Sequence, residues 1–278
     1  MPEVPRLLST SFDRKGVSQA ITSVILVMTV MSVSLAAFFF AQLNLTMQSE
    51  QTEFENAKEA MVSLAQVIEG LSGKGATAYT SLSLRSGGLV LTPGTEQIIV
   101  KVNDKVILNG IVNLVRLRGG RAASLLFRML KGDTRILSKE ELMERDDYLI
   151  ISPASPGELG LVYVERVGEP YIVMDFGRIR VVPKGTFNYT VDGRNFDKLN
   201  LVEVTYFNIT YGSFRGSDVY EVYARIVKEN TWVEPLLDST SITITVERGG
   251  VSKSYSTNQG GNGTLLFITL VEVEVSVR

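Results

Sequence analysis

The segment AITSVILVMTVMSVSLAAFFFA, residues 20–41, is the apolar centre of a run that carries no charge from Gly16 to Ser49. It exceeds the roughly 20 residues with which an α-helix crosses about 30 Å of hydrocarbon. The segment therefore reads as transmembrane. Arg6, Arg14 and Lys15 precede it against Glu3 and Asp13, while Glu50, Glu53 and Glu55 follow. The bias of cations toward the cytoplasmic side puts the N-terminus in the cytoplasm and everything after Leu43 outside.

Beyond Gln42 neither glycine nor proline interrupts the chain before Gly70, so the helix is expected to continue, one rod of roughly 80 Å over residues 17–70. Phe54, Ala57, Met61, Leu64 and Ile68 recur at spacings of three and four, with Gln51, Glu53, Glu55, Lys58 and Glu59 on other faces. This helix-packing seam lasts about two heptads, which favours packing on the chain's own head over a coiled coil. Ser23, Ser32, Ser34, Ala36 and Ala37 are small enough for close helix approach, a feature common to membrane helices.

Gly70, Gly73 and Gly75 mark a hinge and a change of period. The glycines with Lys74 do not satisfy the phosphate-loop pattern. Downstream the pattern has period two. Ile98–Val102 and Lys105–Leu108 flank the turn Asn103-Asp104, and Ile111–Leu117, Leu201–Ile209 and Val219–Val227 add strands. Ile242, Ile244 and Val246 alternate with polar residues, as do Val271, Val273, Val275 and Val277. Ser138-Lys139-Glu140-Glu141 has the form of a capping box for one short helix. Long helical patterns are otherwise lacking, which predicts an α+β chain: a long N-terminal hydrophobic α-helix followed by a mainly antiparallel β head of one or two β-sandwich domains. Ser152–Gly157, rich in proline and small residues, divides the head into β-rich regions 76–155 and 158–278, or is a loop inside one sandwich. Since these strands can close a core of their own, residues from about Tyr79 onward are expected to fold without the helix.

The 278 residues contain no cysteine and no histidine, which removes disulfides, thiolate nucleophiles, Ser-His-Asp triads and the usual zinc or haem ligands. A net charge of -2, with cations spread along the length, argues against nucleic acid as a partner. Glu140, Glu141, Glu144, Asp146 and Asp147 match neither an EF-hand nor an acid/base pair, and the stretch Asp192–Asp197 resembles a calcium loop only superficially. No catalytic residue, metal site or cofactor is assigned. Asn-X-Ser/Thr sequons stand at Asn44, Asn188, Asn208 and Asn262; Asn44 lies at the membrane edge, leaving Asn188, Asn208 and Asn262 as N-glycosylation candidates.

Arg14-Lys15-Gly16-Val17-Ser18-Gln19-Ala20-Ile21 resembles the class III signal peptide of archaeal type IV pilins and archaellins. In that family a prepilin peptidase cuts after a glycine preceded by a basic residue and leaves the hydrophobic stretch on the mature protein. The resemblance implies processing at Lys15, Gly16 and Val17, with residues 1–16 as the leader. It also implies a helix whose apolar half forms a filament core while the other half meets a globular head. The fifth residue after the implied cut is Ile21, where bacterial members usually carry a glutamate that pairs with a neighbour's N-terminal amine; archaeal members often lack that acid. An ordinary secretory signal ending near Ser34-Leu35-Ala36 and an uncleaved anchor are the alternatives. The expectation is a structural subunit, major or minor, of an archaeal type IV pilin-like filament. It would be inserted in the cytoplasmic membrane before assembly and displayed at the cell surface, a glycoprotein with adhesion among its roles. Its partners would be the peptidase, the membrane and copies of itself or other pilins. A membrane-anchored extracytoplasmic β-sandwich binding or envelope protein is the alternative, and an extracellular enzyme comes third.

Overall fold

The computed structural model describes residues 14–83, 88–120, 126–191, 194–215, 219–237, 239–258 and 260–278. The chain divides into two compact units, Met1–Ser49 and Glu50–Arg278. Helix α1 spans Arg14–Gly70; its residues up to Ser49 are all that is described of the first unit, and the rest of the helix belongs to the second. Glycine ends it: Gly73 and Gly75 take positive φ of 83° and 90°, a conformation open to glycine at no steric cost. The Gly75 amide then donates to the Ile226 carbonyl at 2.9 Å, and the chain passes directly into a sheet.

The second unit holds β1 (Thr77–Ser83), β2 (Gly88–Val102), β3 (Lys105–Arg118), β4 (Arg128–Lys131), α2 (Lys139–Glu144), β5 (Ile150–Ile151), β6 (Leu161–Val167) and β7 (Glu169–Asp175). It continues with β8 (Ile179–Val191), β9 (Arg194–Phe214), β10 (Val219–Leu236), β11 (Ser241–Arg248), β12 (Val251–Asn258) and β13 (Gly263–Val277). One sheet has the order β1-β10-β13-β9-β8-β5 and the other β12-β11-β2-β3-β7-β6-β4. Pairing is antiparallel except for β13 with β9 and β5 with β8. Asn103 and Asp104 turn the β2–β3 hairpin with φ of 46° and 66°, and the Ser138 hydroxyl caps α2 by accepting from the Glu141 amide at 3.1 Å. Both sheets draw strands from before and after Ser152–Gly157, so that segment is a loop inside one body.

Two cores are nevertheless present, and the long strands serve both. In β9, Val202, Val204 and Tyr206 belong to one core and Phe207 and Ile209 to the other. Tyr206 and Phe207 are consecutive and both buried, so they lie on opposite faces of the sheet. The same change of phase occurs in β13, between Leu266 and Ile268 on one side and Val271, Val273, Val275 and Val277 on the other. In β6, Val162 and Val164 face the first core while Leu161 and Tyr163 face the second. Near the crossing the sheets are pinned by polar groups. Asn113 Nδ2 donates to the Ile209 carbonyl at 2.7 Å, its Oδ1 accepts from the Gly94 amide at 2.9 Å, and the Tyr211 hydroxyl donates to the Thr92 and Leu114 carbonyls.

The first core contains Phe54, Ala57, Met61, Leu64, Ala65 and Ile68 of α1. This weighs against the expectation that residues from Tyr79 onward fold alone, because helix side chains fill part of the core between the strands. Burying Phe54, Met61, Leu64 and Ile68 is worth about 1.5–3 kcal/mol each. Together they match the whole net stability of an ordinary domain, ~5–15 kcal/mol. A fragment of residues 50–278 is therefore expected to melt cooperatively by circular dichroism, and one of residues 76–278 to lack a cooperative transition. Equal melting of the two would refute the role given to the helix.

An ion pair is buried between the ends of β11 and β7, which stand in the same sheet with β2 and β3 between them. Arg248 Nη2 bonds Asp175 Oδ2 at 2.8 Å with side chains only 4% and 3% exposed, and Arg248 Nε reaches the half-exposed Glu96 at 2.8 Å. Burial works to raise the Asp175 pKa, but the Arg248 charge, its hydrogen bonds and the Gly177 amide outweigh it and hold the carboxyl below its ordinary value. A depressed carboxylate contributes stability above its unfolded pKa near 4, and that stability is lost as pH falls through the lower folded value. The melting midpoint should thus fall steeply below about pH 4. Asp175→Asn should flatten that slope and, by leaving Arg248 buried with Glu96 alone, cost about 3–5 kcal/mol at neutral pH.

Candidate functional site

Among the described residues the one extensive unpartnered surface is the apolar part of α1. Every described side chain from Ile21 to Ser49 is exposed, including Ile25, Leu26, Met28, Met31, Leu35, Phe38, Phe39 and Phe40. By length and composition the helix is able to cross a membrane from Ile21 onward. Three of its hydroxyls are closed on the helix itself. Ser23 donates to the Gln19 carbonyl at 3.0 Å, Thr29 to Ile25 at 2.8 Å and Thr46 to Gln42 at 3.0 Å. Such side chains need no polar partner from their surroundings, which suits the segment to lipid or to other helices.

The remainder of α1 is seated inside the second unit. All five residues of the expected seam, Phe54, Ala57, Met61, Leu64 and Ile68, are buried, and Ala65 joins them. The Phe54 ring lies over Gly119, where a Cβ would stand 2.5 Å from it, and Lys58 Nζ sits 5.0 Å from the centroid of its ring. At the end of the helix Glu69 Oε1 accepts from Lys131 Nζ and from the Gly160 amide, each at 2.5 Å. Arg180 Nη2 stands 3.8 Å from Glu69 Oε2, and Glu158 Oε2 is 3.0 Å from Lys131 Nζ. The acid thus ties the helix end to β4, to the loop before β6 and to β8. The seam was legible from its spacing. The anchor was not, because Glu69, Lys131 and Arg180 are far apart in sequence and carry no local pattern.

Residues 1–13 of the implied leader lie outside the described residues, as do the side chains of Lys15 and Val17; the backbone of Lys15, Gly16 and Val17 is already helical. Asn188 is exposed on β8 and its Oδ1 accepts from the Lys198 amide at 3.1 Å. Asn262 is exposed before β13, with its amide donating to the Lys198 carbonyl at 2.8 Å. Asn208 sits within β9, half-buried, with its Oδ1 buried and unpaired, a poor position for a glycan.

A cleft of about 760 Å³ is lined by Asp133, Arg145, Asp147, Gly157 and Arg178 among others. Asp133 and Asp147 of the cleft and its three arginines are engaged with one another. Asp133 takes Arg135 at 2.9 Å and Arg145 at 2.8 Å, Asp147 takes Arg145 at 2.8 Å, and Arg178 donates to the Asp147 carbonyl. Hydrogen bonds from Arg135 hold the Asp133 carboxyl well below the usual range, and burial pulls the Arg178 guanidinium down to about 10. Of the acidic stretch, Glu141 accepts from the Leu137 amide at 2.9 Å and so completes the cap of α2. The side chains of Asp192–Asp197 lie outside the described residues. Among the described residues no group of three or more acids is placed to hold a metal.

Glu69→Ala in the full chain should lower stability by about 2–3 kcal/mol, since it leaves the Lys131 ammonium buried with Glu158 alone, whereas Lys131→Met, which removes the buried charge, should cost less than half of that. Thermal melts of the two variants in detergent check the asymmetry, and equal losses would show that Glu69 does not anchor the helix end.

No family model, curated protein or solved structure matches this chain.

Proposed function

We propose that this chain is a structural subunit, major or minor, of an archaeal type IV pilin-like extracellular filament. On this reading residues 1–16 are removed by a prepilin peptidase, and the helix from Val17 onward packs against copies of itself or other pilins. The β body is carried at the cell surface, where adhesion is one role open to it. The observation that carries the proposal is the division of labour along α1. Phe54–Ile68 is consumed by the chain's own core, while Ile21–Met47 is uncharged, largely apolar and exposed among the described residues. An apolar surface of that extent needs lipid or other helices around it. The segment Arg14–Ile21, with its class III-like order of cation, glycine and apolar run, favours a processed subunit over a plain anchor. A membrane-anchored binding or envelope protein would cover the same surface with lipid alone.

Material from the source cell separates these readings. N-terminal sequencing is expected to return Val17, and electron microscopy of sheared surface material, labelled with antibody to the β body, is expected to show decorated filaments. A mature chain that begins at Met1 and fractionates only as monomers in the membrane would reject the filament reading. Gly16→Leu is expected to block processing.

A further inference from the structure

Strands β9 and β10 follow one another in the chain, yet they are not neighbours: β13 lies between them. Its whole length is paired on both sides, parallel to β9 from Gly263 with Leu199 to Val277 with Phe214, and antiparallel to β10 from Thr264 with Leu236 to Val277 with Val222. At the far end the Arg215 amide donates to the Val277 carbonyl, and Glu221 and Arg278 exchange backbone bonds, all at 3.0 Å. No hairpin holds β13 in place. The strand before it, β12, belongs to the other sheet, and Gly260, Gly261 and Asn262 lead across.

The walls of this slot have attachments of their own. β9 is paired with β8 and pinned at Ile209 and Tyr211 to the opposite sheet. β10 is paired with β1, joined at Ile226 to Gly75 and Ala76, and tied by Glu234 to Lys105. What β13 adds is closure. It brings Leu266 and Ile268 to the second core, and it brings Val271, Val273, Val275 and Val277 to the core that seats α1. From these facts we infer that Gly263–Arg278 is a separable closing strand, an element that docks after the rest into a slot with independently held walls and that a free copy of the same sequence can replace. A parallel central strand is joined to its neighbour only through a distant crossover, so its docking is a late, non-local step. The seat of the helix is completed by that step.

The test uses the full chain in detergent with a protease site inserted between Gly260 and Gly261, the uncut insertion variant serving as the control for folding. After cutting, both pieces are expected to elute together with the β signal of the uncut protein. Because the strand is then held by mass action, raising free peptide 263–278 from its Kd to a hundredfold excess should raise the melting midpoint by roughly 5–10 °C. Fluorescent peptide should enter the complex in place of the original piece, and a peptide with Val271, Val273 and Val275 replaced by serine should do neither. A cut protein whose melting ignores the peptide and which excludes the label would overturn the inference. So would one that unfolds on cutting and is not restored by the peptide.

Discussion

Two sheets that trade faces part-way along their strands cannot cover both of their cores with each other. In the second core the gap is met by α2, by Tyr148 and Leu149, and by the odd-numbered face of β6. In the first it is met by helix α1, whose Phe54, Met61, Leu64 and Ile68 enter between strands of both sheets. The rest of the second unit depends on this insertion. The cost of ordering some 230 residues is offset only if the apolar faces of the sheets lose their water, and in the first core the helix shares that cover with the strands. Gly119 is part of the same constraint, since any side chain there would occupy the space of the Phe54 ring.

The polar groups of the interior obey a related rule. Asn113 and Tyr211 are engaged across the two sheets, Glu69 between helix and sheet, and Arg248 with Asp175 between strands of one sheet that are not neighbours, and each is bonded to a partner remote in sequence. Their value lies less in net stability, which a buried ion pair rarely increases over an apolar pair, than in the penalty they impose on any arrangement that leaves one of them unpaired. The charges around the cleft at Asp133 and Arg145 differ in kind. They satisfy each other near solvent and shape a surface.

Period and punctuation made the helix, its buried seam, the β2–β3 turn, the cap of α2 and the alternating strands legible from the sequence. Arg248 was not singled out, although the alternation Ile242, Ile244, Val246 points the next member inward, and that member is the arginine. What periodicity does not carry is which strands become neighbours. The parallel entry of β13 and the sharing of both sheets across Ser152–Gly157 depend on contacts between residues as far apart as Gly75 and Ile226. The change of core along β9 left one local trace, the adjacent apolar pair Tyr206-Phe207, which a search for strict alternation discards as noise.

That pair gives the fold a safeguard against mistaken alignment. In a strand that serves a single core, sliding the pairing by one residue inverts one face and is penalised once. In β9 the same slip would carry Val202, Val204 and Tyr206 out of the second core and Phe207 and Ile209 out of the first in one movement, with Asn208 and Thr210 drawn inward. β13, which changes phase alongside it, would have to slip in concert. A misaligned sheet is thus marked as wrong at both of its ends, and a sequence rich in valine and isoleucine, whose strands would otherwise fit many alignments, is left with one.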